Sequence, residues 1–111
     1  MSRMIDKPEV MIRSAVLKWL DKNNYYQYII YSSSKGFTWE QKIIRSMIFN
    51  VLYYEFNFTF KDIAFIFGLG ESTIRRSFHG GINFGIDPQF KDKYFSLAES
   101  IVDKYNRLKY S

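Results

Sequence analysis

The chain has 111 residues, the size of one ordinary domain, which can bury roughly two-thirds of its unfolded surface without a covalent staple. Its composition, 47% hydrophobic and 20% aromatic, excludes a disordered tail. Cysteine is absent and His79 is the one histidine, which excludes disulfides, thiolate zinc sites and thiol nucleophiles and argues against a histidine-based metal site or catalytic pair. No cofactor is expected. The net charge of +5 suits a polyanionic partner, nucleic acid being the commonest. The segment Met1 to Asp6 has no apolar core of signal-peptide length, and polar residues interrupt every apolar stretch. The expectation is a cytoplasmic protein with no membrane span.

In chain order, the first helix is predicted over about Pro8 to Lys22. Val10, Met11, Ile12, Ala15, Val16, Leu17, Trp19 and Leu20 recur at helical spacing with Arg13, Lys18 and Lys22 between them. Pro8 suits the first turn, and Asn23-Asn24 can adopt the left-handed conformation that ends helices. The aromatic run Tyr25 to Tyr31 fits either a short helix or a strand, and Ser32 to Gly36 reads as a loop.

Thr38 followed by Gln41 is a capping box, with Glu40 at the positive end of the helix dipole. A long helix to about Phe56 follows, apolar on most sides and hence the central buried one. Thr59 and Asp62 open a short helix to Phe67, Gly68-Leu69-Gly70 turns the chain, and another helix starts near Glu71. Asp87-Pro88 is predicted to begin a last helix with the stripe Phe90, Tyr94, Leu97, Ile101 and Tyr105. The expected fold is all-α, a compact multi-helix domain over residues 1–111. Residues 1–36 would be a helical extension and 37–109 a helix-turn-helix core.

Residues 59–79 carry the functional signal. Two short helices joined by a glycine-containing turn form a helix-turn-helix. Ala64 is small where the helices approach, Ile63 and Phe67 are apolar, and Gly68 falls where the turn needs positive φ. Leu69 fills the space under the turn and Ile74 packs back, with Phe78 taking over the packing that Ser77 cannot supply. A helical hairpin that buries a core and binds nothing is the plain alternative. Against it stand the Ala–Gly–Leu–Ile spacing and the set Ser72, Thr73, Arg75, Arg76 and His79 on the exposed side.

In such a motif the second helix enters the major groove of double-stranded DNA with its N-terminal residues at the base edges. Ser72 and Thr73 would meet phosphates or bases beside the free N–H groups of the helix start. Arg75 and Arg76 are the candidate base readers, since a guanidinium pairs with guanine through two parallel hydrogen bonds. Glu71 could accept from a cytosine amino group, but the preferred reading is that it favours the helix N-terminus. His79 is either a cap or a contact, and Lys61, Lys42 and Arg45 are candidate phosphate partners. Tyr25, Tyr26, Tyr28 and Tyr31 could stack on single-stranded bases, but core packing, a homodimer contact or a surface for another protein is the preferred reading. The pairs Asp62 with Glu71 and Asp87 with Asp92 read as helix caps, so no enzyme is expected.

Residues from about 42 to 101 resemble the C-terminal DNA-binding domain of the bacterial replication initiator DnaA. Arg45 lies near that family's helix-start arginine, and Thr59-Phe-Lys-Asp-Ile-Ala-Phe-Ile-Phe-Gly68 matches its short helix ending in Phe-Gly. Ser72-Thr73-Ile74 falls on the Thr-Thr-Val of its signature, and Asp87-Pro-Gln-Phe90 on its last helix start. Leu69-Gly70-Glu71 stands where the family has Arg-Asp-His, its base-reading part, so the family's sequence preference does not carry over. The resemblance implies a Trp-repressor-like helical fold and phosphate contacts at Ser72 and Thr73. The initiator's ATPase domain is absent, since no Gly-x-x-x-x-Gly-Lys-Ser/Thr loop occurs. A stand-alone relative regulating transcription or replication, encoded by a phage or mobile element, is the implied identity.

Overall fold

The computed structural model describes residues 8–32, 35–78 and 81–110. All regular structure among them is helical: α1 (Pro8–Lys22), a 3₁₀ turn (Gln27–Ile30), α2 (Trp39–Phe56), α3 (Phe60–Phe67), α4 (Glu71–Phe78) and α5 (Lys91–Tyr110).

Each boundary has a local cause. Asn24 takes the left-handed conformation at φ 65° after α1, and the Asn23 amide donates to the Trp19 carbonyl at 2.8 Å. At Thr38 the capping box is complete, with Gln41 N–H donating to Thr38 Oγ1 at 3.1 Å and Thr38 N–H donating to Gln41 Oε1 at 2.9 Å. Asn57, left-handed at φ 60°, ends α2. The open question at residues 25–31 resolves as the 3₁₀ turn. Its Ile29 and Ile30 are fully buried while Tyr26, Tyr28 and Tyr31 stay exposed, a split that alternation alone does not reveal.

The last helix begins later than predicted. Asp87 commits its side chain to Gln89 N–H at 2.8 Å and its carbonyl to the N–H groups of Phe90 and Lys91 at 3.0 and 2.8 Å. Residues 88–90 therefore form a separate capped turn, and α5 starts at Lys91. Its stripe is as expected at Tyr94, Leu97 and Ile101, which are buried, whereas Tyr105 lies at the edge, 37% exposed.

Helix α2 is the central element, with every residue from Ile43 to Leu52 buried. It packs against the 3₁₀ turn, α3, α4 and α5, and α1 lies across α3 and α5. The N-terminal third shares this core rather than hanging from it. Met11, Ile12, Ala15, Val16, Trp19 and Leu20 are buried, the Trp19 indole donates to Ser96 Oγ at 3.1 Å, and Arg13 Nε donates to the Ile66 carbonyl at 2.9 Å, near the C-terminal end of α3. No helix among the described residues is long and apolar enough to cross a membrane.

Candidate nucleic-acid interface

The α3–α4 pair is built from two short helices that cannot stand alone in water. Thr59 and Asp62 cap α3 reciprocally, Asp62 N–H on Thr59 Oγ1 at 3.1 Å and Thr59 N–H on Asp62 Oδ2 at 3.0 Å. At the other end Gly68 turns left-handed at φ 68°, ψ 32°, and its N–H reaches the Ala64 carbonyl. Leu69 N–H reaches the same carbonyl at 3.0 Å, the signature of a Schellman-type stop. After three residues the Gly70 carbonyl receives the N–H groups of Thr73 and Ile74, at 3.0 and 3.2 Å, and α4 is under way.

Burial then fixes which side of α4 faces out. Ile74 is completely enclosed in the same core as Ile63, Ala64 and Phe67 of α3, and Leu69 at the turn is half-buried against it. Enclosing one isoleucine stabilises by roughly 1.5–3 kcal/mol, enough to hold an eight-residue helix in register. The end of α4 is held by rings. Phe78 lies 5.0 Å from both Tyr53 and Phe60 and 5.8 Å from Tyr54, centroid to centroid. Sequence reasoning anticipates Phe78 from its position one turn after Ile74. It gives no sign of Tyr53, Tyr54 and Phe60, which come from two other helices.

With Ile74 and Phe78 inward, Ser72 and Arg76 share the opposite face of α4, and both are exposed. Thr73 is half-buried on the flank. Arg75 is exposed too, but leans back along the helix. Its guanidinium pairs with Glu71 at 2.6 Å and sits 5.1 Å from the centre of the Phe60 ring. An exposed i,i+4 pair of this kind is worth only about 0.3–0.5 kcal/mol, so Arg75 can leave it for a better partner. Arg76 has no hydrogen bond or ion pair among the described residues. His79 lies outside them. Lys61 is exposed in the first turn of α3.

The remaining two candidates are not brought to this face. Lys42 is exposed in the first turn of α2, about 16 Å along the axis from Tyr53 at 1.5 Å per residue. Arg45 is overturned as a phosphate contact because it is 1% exposed. One nitrogen, Nη1, donates to the carbonyls of Ile29 and Ser32 at 3.2 and 2.6 Å. The guanidinium lies between the Phe37 and Phe49 rings, 5.7 and 5.6 Å from their centres, and burial pulls its pKa below the ordinary arginine value. The signal was its spacing, since Arg45 falls one turn before Phe49 in the buried stripe of α2.

The other carboxylates near the pair, Asp62 and Glu71, are a cap and a partner of Arg75. No cluster of His, Asp and Glu that could hold a metal ion occurs among the described residues. The fold and this surface define an all-α multi-helix domain that presents one face of a short, firmly seated helix. No protein-family model matches the chain, and no match is found among curated proteins or solved structures.

Proposed function

We propose that the chain binds double-stranded DNA through α3 and α4, acting as a helix-turn-helix that regulates transcription or replication, and that it is a binding protein rather than an enzyme. The observation that carries this reading is the division of α4. Ile74 and Phe78 fasten one side while Ser72 and Arg76, with Arg75 in reserve, stand free on the other. A seated helix with a hydroxyl and two guanidinium groups outward meets the requirement for entering a major groove. The net charge of +5 favours the encounter, and the resemblance to the initiator's DNA-binding domain supports the same assignment.

The test is selection from random duplex DNA at two salt concentrations, comparing the wild type with Arg75→Ala/Arg76→Ala. Salt-sensitive binding that enriches a motif, and that the double variant loses, is the expected result. Equal loss of preferred and random duplexes would remove the base-reading role, and no binding at low salt would remove the proposal.

A second reading rests on Tyr26, Tyr28 and Tyr31, which are 66, 44 and 40% exposed, with the first two rings stacked at 5.3 Å. This surface offers a protein partner or a second copy aromatic area that is already ordered. Concentration-dependent dimerisation that Tyr26→Ser/Tyr28→Ser abolishes would favour it. A monomer at every concentration, with no duplex binding, would leave only the heterologous partner.

A further inference from the structure

Beyond the far end of α4 lies a cleft of about 680 Å³ between the last turns of α2, the 81–86 segment and α5. Small-molecule sites typically enclose about 300–1,000 Å³, so the space is sufficient for a ligand of that kind. Its chemistry is unlike the rest of the surface. Tyr54, Phe78, Tyr94 and Phe95 contribute aromatic rings, and among the described residues lining it the one charged side chain is Glu55. In a chain of net charge +5, no lysine or arginine among the described residues reaches this cleft.

Two acceptors are held ready in it. Glu55 is oriented by the Tyr94 hydroxyl, which donates to Oε2 at 2.9 Å and leaves the carboxylate with accepting capacity unused. Asn50 is 6% exposed. Its amide nitrogen donates to the Ser46 carbonyl at 2.8 Å, which fixes the flip of the group. The side-chain carbonyl oxygen of Asn50 accepts no hydrogen bond from any described residue, which leaves it open to a donor.

A carboxylate and an amide carbonyl beside π faces, with no lysine or arginine among the described walls, favour a donor-bearing cation over an anion. We propose that this cleft binds an organic cation with N–H donors, a guanidinium or primary ammonium group. The rings cover the faces of the bound cation, and Glu55 and the Asn50 carbonyl accept its hydrogens. A free small molecule and an arginine or lysine side chain of another protein share this chemistry. The site is independent of whether α4 binds DNA.

The experiment titrates n-butylguanidinium, and separately its uncharged isostere n-butylurea, into the full chain without DNA, following the ¹³C-methyl signals of Ile82 and Ile86. Saturable shifts with the guanidinium and none with the urea at equal concentration are expected. Glu55→Gln, an exposed substitution, should weaken binding about tenfold, the scale of one hydrogen bond to a charged group, while Glu71→Gln on α4 should leave it unchanged. Equal shifts with both compounds, or equal affinity in Glu55→Gln, would overturn the proposal, as would no shift with either. The blocked tripeptide acetyl-Gly-Arg-Gly-amide separates the sources. Glu55-dependent binding tighter than that of n-butylguanidinium assigns the occupant to a protein side chain, and weaker binding assigns it to a free cation.

Discussion

Phe78 sets its ring edge-on to Tyr53 at a centroid distance of 5.0 Å, tying the last residue of α4 to the penultimate turn of α2. Because Phe60 and Tyr54 complete the cluster, three helices share one aromatic joint. Phe78 is half-buried, so Phe78→Ala should cost about 2–3 kcal/mol, below the range for fully enclosed phenylalanines. A urea midpoint lowered at constant m-value would show it. A loss under about 0.5 kcal/mol would mean that Ile74 alone seats the helix.

Gly68 has open space where a β-carbon would sit, so its requirement is conformational rather than steric. Gly68→Ala should destabilise by about 1–2 kcal/mol, the cost of placing an alanine in the left-handed region. Gly68→Asn should cost less, since Asn57 already ends α2 at φ 60°. Equal losses for the two variants, measured by thermal or urea unfolding, would show that the turn does not need this conformation.

Much of this fold was readable from short-range chemistry. The bounds of α1, both capping boxes and the Gly68 turn depend on residues no more than five apart, and such patterns survive in a linear sequence. What was not readable depends on distant partners. Whether Tyr26 or Ile30 turns inward is decided by the underlying core. Arg45 misled for a physical reason: arginine is normally an exposed cation, and only its place in the Phe49 stripe hinted at burial. The cleft at Glu55 and Asn50 joins α2 to residues that follow α4, which no local spacing encodes.

Arg45 itself makes a sharp prediction. Its Nε and Nη2 atoms are buried without partners, and no carboxylate among the described residues offsets its charge. Arg45→Met keeps most of the volume and removes that desolvated cation, so stability should stay within about 1 kcal/mol of the wild type or rise. Arg45→Ala leaves a cavity and should lose about 2–4 kcal/mol. If Met is as damaging as Ala in equilibrium unfolding, the hydrogen bonds to Ile29 and Ser32 outweigh the charge.

Alkaline pH should unfold the chain through its tyrosines. Burial first, then the hydrogen bond to Glu55 and the nearby charges, raise the Tyr94 pKa above the ordinary 10.0. Burial and then Glu40 raise that of Tyr25, whose hydroxyl donates to Glu40 at 3.3 Å. Above the ordinary value the unfolded chain releases protons that the folded chain retains, so stability is intact below pH 10.0 and falls as pH rises through the folded values. Tyr94→Phe should flatten that decline. An unchanged slope between neutral and strongly alkaline urea titrations would show that Tyr94 ionises without consequence for folding.

The pair of Glu71 and Arg75 bears on the proposed DNA reading. Arg75 reaches a base only by leaving a carboxylate 2.6 Å away, and that carboxylate then faces the phosphates. Glu71→Gln removes both obstacles. It should tighten binding several-fold, since the exposed pair is worth about 0.3–0.5 kcal/mol and a repelled charge adds to it. Removing Arg76 should instead weaken binding and lower the slope of log affinity against log salt by about 1 if it meets a phosphate. If it reads a base, the slope should hold and the preference at one position should relax. Weaker binding in Glu71→Gln would instead assign the carboxylate to a cytosine amino group, and α4 would then read DNA through its first turn.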